Sequence, residues 1–120
     1  MQKLHARLAR FGDNLQITDT DCGDLIVGSP ERCCIYLDPP YYEKGPQLYR
    51  YSMDEEDHRV LAMQLRECKA QWILSYDDHQ EIRRLYSWAR IESVDSNYSY
   101  TMAVARSVTR RKNSEIVITP

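Results

Sequence analysis

The sequence is short of most features that would assign it quickly. Only four of its 120 residues are glycine, Gly12, Gly23, Gly28 and Gly45, and no two flank a single residue. The Gly-x-Gly loop that cradles phosphates or nucleotide cofactors is therefore absent. No apolar run approaches the roughly 20 residues that a membrane-spanning helix needs. The first residues, MQKLHARLARFGD, are basic and read as helical but hold no apolar stretch, so they do not form a secretory signal. These two absences lead us to expect a cytoplasmic protein without a membrane partner. Cys22, Cys33, Cys34 and Cys68 contain no C-x-x-C pair, which argues against a zinc ribbon and for buried, reduced thiols. His5, His58 and His79 share no metal-ligand spacing, so they read as surface residues and no metal is expected. A net charge of −2 exerts no global pull toward nucleic acid, and any such contact needs a local patch. Phenylalanine is nearly missing, with one residue against nine tyrosines. Tyrosine adds a polar tip to a stacking face.

What is present alternates between strand and helix. At 120 residues the chain forms one domain, spanning 1–120, able to bury about two thirds of its unfolded surface. Residues 2–10 read as helix and 15–18 (LQIT) as a short alternating strand. Residues 33–37 (CCIYL) form a continuous apolar run, suited to a strand buried on both faces, which Pro39-Pro40 ends. A helix begins near Met53, with Ser52 as N-cap and Glu55 completing a capping box, and uses Val60, Leu61, Met63, Leu65 and Cys68. Trp72-Ile73-Leu74 is a second buried strand, closed by Ser75-Tyr76-Asp77-Asp78, and residues 79–88 are amphipathic helix. Two alternating strands finish the chain, about 90–94 into the 98–108 region and then 115–119, joined by a basic turn over 109–114. The pattern predicts an α/β fold with a mainly parallel sheet and an antiparallel C-terminal hairpin.

The chemistry concentrates in Asp38-Pro39-Pro40-Tyr41. In open α/β sheets ligands bind beyond the carboxyl ends of the strands, where this segment falls. Each proline fixes its own φ and pushes the preceding residue out of the helical region, so Asp38 and Pro39 are held extended. A carboxylate and a carbonyl without local donors then become two acceptors aimed at one cleft, with a flat ring directly after them. That combination suits a planar ligand carrying an amino group, such as adenine. A plain strand terminator with half-buried loop aromatics fits the tetrapeptide alone slightly better, and it is the strand before it and the helix after it that favour the binding reading.

In this context Asp38-Pro39-Pro40-Tyr41 resembles the catalytic signature of adenine-specific DNA methyltransferases. The runs IYLDPPYYEKGPQLY, DEEDHRVLAMQL, WILSYDD and RSVTRRKNSEIVIT resemble, in order, the Dam-like, phage-type branch of that family. The resemblance implies a partial Rossmann-like methyltransferase sheet and transfer of a methyl group from S-adenosylmethionine to the exocyclic amine of an adenine flipped out of double-stranded DNA. It implies that Asp38 and the Pro39 carbonyl hold the amino group, that Pro40 stiffens the turn and that Tyr41 stacks on the base. By the same resemblance Asp21, together with Asp38, faces the cofactor. Tyr42 and Lys44, next to the motif, and the basic cluster Arg106, Arg110, Arg111 and Lys112 are expected at the DNA. A solvated hairpin tip explains that cluster equally well.

The sequence also departs from the family. It lacks the glycine-rich cofactor loop, the strand with the ribose-binding acid and the target-recognition segment, so it resembles a carboxyl-terminal half. Two readings follow: a truncated or split enzyme that needs its amino-terminal half in trans, or a remnant that binds DNA or protein without catalysis. In the family the missing strands stand between the 15–18 strand and the 35–37 strand. Their absence leaves an open sheet edge and favours a homodimer or higher association.

Overall fold

The computed structural model describes residues 12–43, 46, 50–95 and 114–120. A short 3-10 turn, Gly12–Asn14, precedes helix α1 (Cys22–Gly28), strand β1 (Cys34–Leu37) and helix α2 (Glu55–Glu67). Strand β2 (Gln71–Asp77), helix α3 (Gln80–Leu85) and strands β3 (Arg90–Asp95) and β4 (Ser114–Thr119) follow. The four strands form one sheet in the order β1-β2-β4-β3. β1 and β2 run parallel, with Leu37 opposite Leu74, and α2 lies between them in the chain. β4 enters between β2 and β3 and is antiparallel to both.

The longest helix shows why these residues fold as they do. Asp54 accepts from the Asp57 amide at 2.9 Å, and the Asp57 side chain accepts from the Asp54 amide at 3.0 Å, a reciprocal cap. Glu55, Glu56 and Asp57 in the first turn add negative charge where the helix dipole favours it. His58, Leu61, Ala62 and Leu65 then recur at helical spacing and face the core. α1 lies close against this helix. A Cβ on Gly23 would stand 2.5 Å from Gln64 Nε2, so a larger residue at that crossing requires the Gln64 side chain to move aside.

Strand β2 divides the two faces of the sheet. Trp72, Leu74 and Tyr76 point into a core completed by Ile26, Leu65, Ile82, Tyr86, Ile116 and Ile118. Burial of each such side chain is worth roughly 1.5–3 kcal/mol. The alternate residues face the other way, where Tyr36 and Ile73 remain exposed.

Several expectations need correction. Residues 15–18 form no strand: they are irregular and exposed, Ile17 most of all, because no strand among the described residues pairs with them. The segment after them contains α1, which the scattered apolar residues of CGDLIVG did not announce. β1 is not buried on both faces. It is an edge strand whose Ile35 and Leu37 are half-buried while Cys34 and Tyr36 face outward. The C-terminal strands do pair antiparallel, β3 with β4, but the sheet is mixed rather than mainly parallel, since β4 is also antiparallel to β2 and only β1 and β2 run parallel. The N-cap of α2 is Asp54, not Ser52, and Val60 and Met63 on that helix are exposed. β2 runs on to Asp77, three residues past its expected end, and α3 stops at Leu85. His58 is buried, not on the surface. The four cysteines are free, but Cys22 and Cys34 are exposed and Cys33 and Cys68 half-buried. The expected helix at 2–10 and the continuation of the 90–94 strand into the 98–108 region lie outside the described residues, as does most of the 109–114 turn.

Candidate active site

The Asp38-Pro39-Pro40-Tyr41 segment leaves the carboxyl end of β1 and is held to the rest of the sheet by three side chains. Because Leu37 is paired with Leu74, the next residue of β2, Ser75, stands beside Asp38. Ser75 Oγ donates to Asp38 Oδ1 at 2.8 Å. The Asp38 side chain is otherwise exposed, and the two prolines are half-buried. Tyr41 donates its hydroxyl to Glu115 Oε1 at 2.9 Å, tying the ring to the first residues of β4.

The third tie is Asp77, at the end of β2. It is only 6% exposed although it faces the open side of the sheet, because the loop after the motif folds over it. Its two carboxylate oxygens accept from the backbone amides of Tyr42 at 2.9 Å and Glu43 at 3.1 Å. A carboxylate holding two amides fixes the exit of the loop as the prolines fix its entry.

The Tyr42 ring turns inward. It packs against His58 with ring centroids 5.1 Å apart and against His79 at 4.6 Å, and its hydroxyl donates to Glu55 at 3.3 Å. Burial, and then the Glu55 charge, raise its phenol above the ordinary value. Behind it, His58 Nδ1 meets the Tyr76 hydroxyl at 2.7 Å. Burial lowers the His58 pKa, against the opposing charges of Asp57, Asp77 and Asp54. Burial likewise raises the Tyr76 phenol far above its usual range. The phenol keeps its proton, and the tautomer of the imidazole sets which of the two groups donates in this bond.

Asp21 lies apart from these residues. It is the N-cap of α1, accepting from the Gly23 amide at 2.8 Å. It borders a cleft of about 320 Å3 with Cys22, Gly23, Met53, Asp57, Val60, Leu61 and Gln64. None of the motif residues 38–41 lines that cleft. Burial, followed by the Asp21 charge, raises the Cys22 thiol, so it is not an activated thiolate. No group of three or more metal-ligating side chains occurs among the described residues. No described helix is long and apolar enough to cross a membrane.

Of the residues expected from sequence, Asp38, Pro39, Pro40, Tyr41 and Tyr42 are brought together at one end of the sheet, and Asp21 is not among them. Lys44, Arg106, Arg110, Arg111 and Lys112 lie outside the described residues. Ser75, Asp77, His58 and Glu115 were not anticipated. For Ser75 and Asp77 a signal existed, since the alternation of Trp72 and Leu74 continues to Tyr76 and places both on the opposite face. His58 stands three residues before Leu61, on the buried stripe. Nothing in the sequence links Glu115 to Tyr41 across 74 positions.

The assembled groups offer one free carboxylate oxygen, a rigid diproline turn and a tethered aromatic ring. They accept hydrogens and stack on a flat ligand. No curated protein matches the chain. The model of the D12 class N6 adenine-specific DNA methyltransferases matches residues 1–100, most of the chain. On the motif, the fold segment that carries it and this match, the chain belongs to the D12 class of N6 adenine-specific DNA methyltransferases.

Proposed function

We propose that residues 38–41 receive an adenine extruded from double-stranded DNA and present its amino nitrogen for methylation. The observation that carries this reading is the convergence of Asp38 and Tyr41 at the carboxyl end of β1, each held by a residue of another strand. The amino nitrogen of adenine is a poor nucleophile, because its lone pair is delocalised into the ring. Asp38 and the Pro39 carbonyl accept its two hydrogens, favour a pyramidal nitrogen and stabilise the positive charge that develops there. Acceptors fixed before the reaction need no rearrangement during it. Extrusion of the base costs a few kcal/mol, and stacking on Tyr41 returns on the order of 1–3 kcal/mol.

The family implies S-adenosylmethionine, which when bound supplies an electrophilic methyl group. The residues present fit one end of it. The cleft at Asp21 joins a polar rim of Asp21, Asp57 and Gln64 to an apolar wall of Met53, Val60 and Leu61, as a purine requires. For the methionine end the sequence has no Gly-x-Gly loop. The intact Asp38-Pro39-Pro40-Tyr41 favours an enzyme half that completes its cofactor site in trans, and the missing loop favours a non-catalytic DNA- or protein-binding remnant.

Transfer of labelled methyl groups to adenine-containing duplex DNA tests the reading. Asp38→Ala should lower transfer by about 10²–10³-fold, as for loss of one preorganised contact. Tyr41→Phe keeps the stacking face and should be mild, and Tyr41→Ala severe. Equal losses for Phe and Ala would exclude stacking by Tyr41. A chain that binds DNA but, even with an amino-terminal methyltransferase half added in trans, neither binds S-adenosylmethionine nor transfers methyl groups would be the remnant.

A further inference from the structure

We propose that Ser75 is the positioning residue of Asp38: it occupies one carboxylate oxygen and thereby decides which oxygen receives the base. The inference rests on the methyltransferase reading above and deepens it at the same site. The backbone of Asp38 is already restricted, since a proline follows it and excludes the helical region. What remains free are its two side-chain torsions. One hydrogen bond to Oδ1 removes that freedom, and only Ser75 makes it among the described residues.

The register explains the contact. β1 and β2 are parallel, and the pairing of Leu37 with Leu74 is the last rung before Asp38. Ser75, one residue on, points to the open side of the sheet, the side from which Asp38 is exposed. The hydroxyl has one proton and two acceptors in reach, Asp38 Oδ1 at 2.8 Å and the Leu37 carbonyl at 3.3 Å. The shorter bond is to the charged oxygen, as charge-assisted bonds are. Tyr36, two residues before Asp38 and on the same face of the strand, places its own hydroxyl 3.4 Å from Ser75 Oγ. With the serine proton committed to Asp38, Tyr36 is the donor in that longer bond. A short chain results, from the Tyr36 hydroxyl to Ser75 and from Ser75 to Asp38 Oδ1. Oδ2 has no hydrogen-bond partner in the described structure and is left to accept an amino hydrogen.

A positioning role differs from a packing role in what its loss changes. Without Ser75 both carboxylate oxygens compete for the amino group and the side chain samples several rotamers. Binding of the base, carried by Tyr41, would persist while productive geometry is lost. Misplacement by about 1 Å costs up to about 100-fold in rate. Serine is also replaceable in kind: threonine keeps the hydroxyl and suits a strand, whereas alanine does not carry one.

The experiment uses the whole chain with ¹³C-labelled aspartate, and the Asp38 carboxyl resonance at neutral pH is the first readout. Ser75→Ala should displace or broaden it while amide resonances elsewhere hold, and Ser75→Thr should leave it near the wild-type position. The second readout is methyl transfer to an adenine-containing duplex. Ser75→Ala should lower kcat by 10- to 100-fold, on the order expected for misplacement, with KM for DNA nearly unchanged, and Ser75→Thr should recover most of it. If Ser75→Ala fails to fold, Ser75→Cys keeps the volume, weakens the donor and carries the same comparison. An unmoved Asp38 resonance in the alanine variant, or a raised KM with unchanged kcat, overturns the proposal. If the wild-type chain transfers no methyl group, the methyltransferase reading fails for this chain on its own. The Asp38 resonance still decides what Ser75 does.

Discussion

The two faces of the sheet have been put to different uses. On the covered face Trp72, Leu74, Tyr76, Ile116 and Ile118 are at most 1% exposed beneath the helices. On the open face Tyr36 is 67% and Ile73 38% exposed, and beyond this pair toward the carboxyl end of β2 stand Ser75 and Asp77, with Glu115 of β4 opposite Asp77. The covered face is apolar and holds the fold together. The open face is polar at its carboxyl end and reaches every residue of the motif that carries a functional side chain. Period-two alternation produces both from one strand, because neighbouring residues of β2 must point in opposite directions. The chemistry therefore sits one residue away from the core, on a backbone that the core keeps rigid.

Adjacent substitutions give the largest contrast. Leu74→Ala should destabilise the chain by about 2–5 kcal/mol, as deletion of a fully buried leucine does. Ile73→Ala, one residue away on the open face, should cost about 1 kcal/mol or less. Denaturant titration of the two variants measures the difference, and equal losses would mean that the open face is packed as tightly as the other.

A smaller effect separates the loop clamp from the core. Asp77→Ala removes both acceptors of the Tyr42 and Glu43 amides and should cost about 1–3 kcal/mol. Its signature is local. Amide hydrogen exchange at Tyr42 and Glu43 should accelerate well before exchange in β2 and β4 does. Uniform acceleration would show that Asp77 supports the sheet and not the loop.

The smallest effect is a dependence on pH. His58 is buried and neutral, with its pKa lowered from the ordinary 6.5, so the unfolded chain binds a proton more readily than the folded one. Its contribution to stability is complete above pH 6.5 and is lost as pH falls through that value toward the lower folded one. Midpoints of urea unfolding should be level above neutrality and fall on acidification below it. His58→Gln should flatten that part of the profile. A stability that rises as pH falls would place the imidazole as a charged, paired group.

Some of this arrangement is legible in the amino-acid sequence, and some is not. The helix expected from Met53 to Cys68, the strand expected at 72–74 and the alternation at 90–94 and 115–119 correspond to α2, β2, β3 and β4. Residues 15–18 show the limit of the same logic. They alternate like a strand, yet a strand requires a partner, and none of the described strands pairs with them. CCIYL reads as doubly buried because apolar composition reports a preference for burial, whereas the position at the sheet edge decides whether it is met. The polar neighbours Asp57 and Arg59 make His58 look like a surface residue, although its spacing from Leu61 and Leu65 marks the buried stripe.

What the sequence by itself determined is local and covalent. Two prolines stiffen the turn, the aspartate and tyrosine flank them, and a capped amphipathic helix follows. These follow from torsions and from periods of a few residues, which are written in order along the chain. The partners of the motif were decided only by the tertiary structure. Ser75 reaches Asp38 across 37 positions, Asp77 reaches Tyr42 across 35 and Glu115 reaches Tyr41 across 74. Each contact depends on the register of β1 with β2 or on the insertion of β4 beside β2. Register and strand order come from burying one whole face of the sheet at once, and no short stretch of sequence contains that sum.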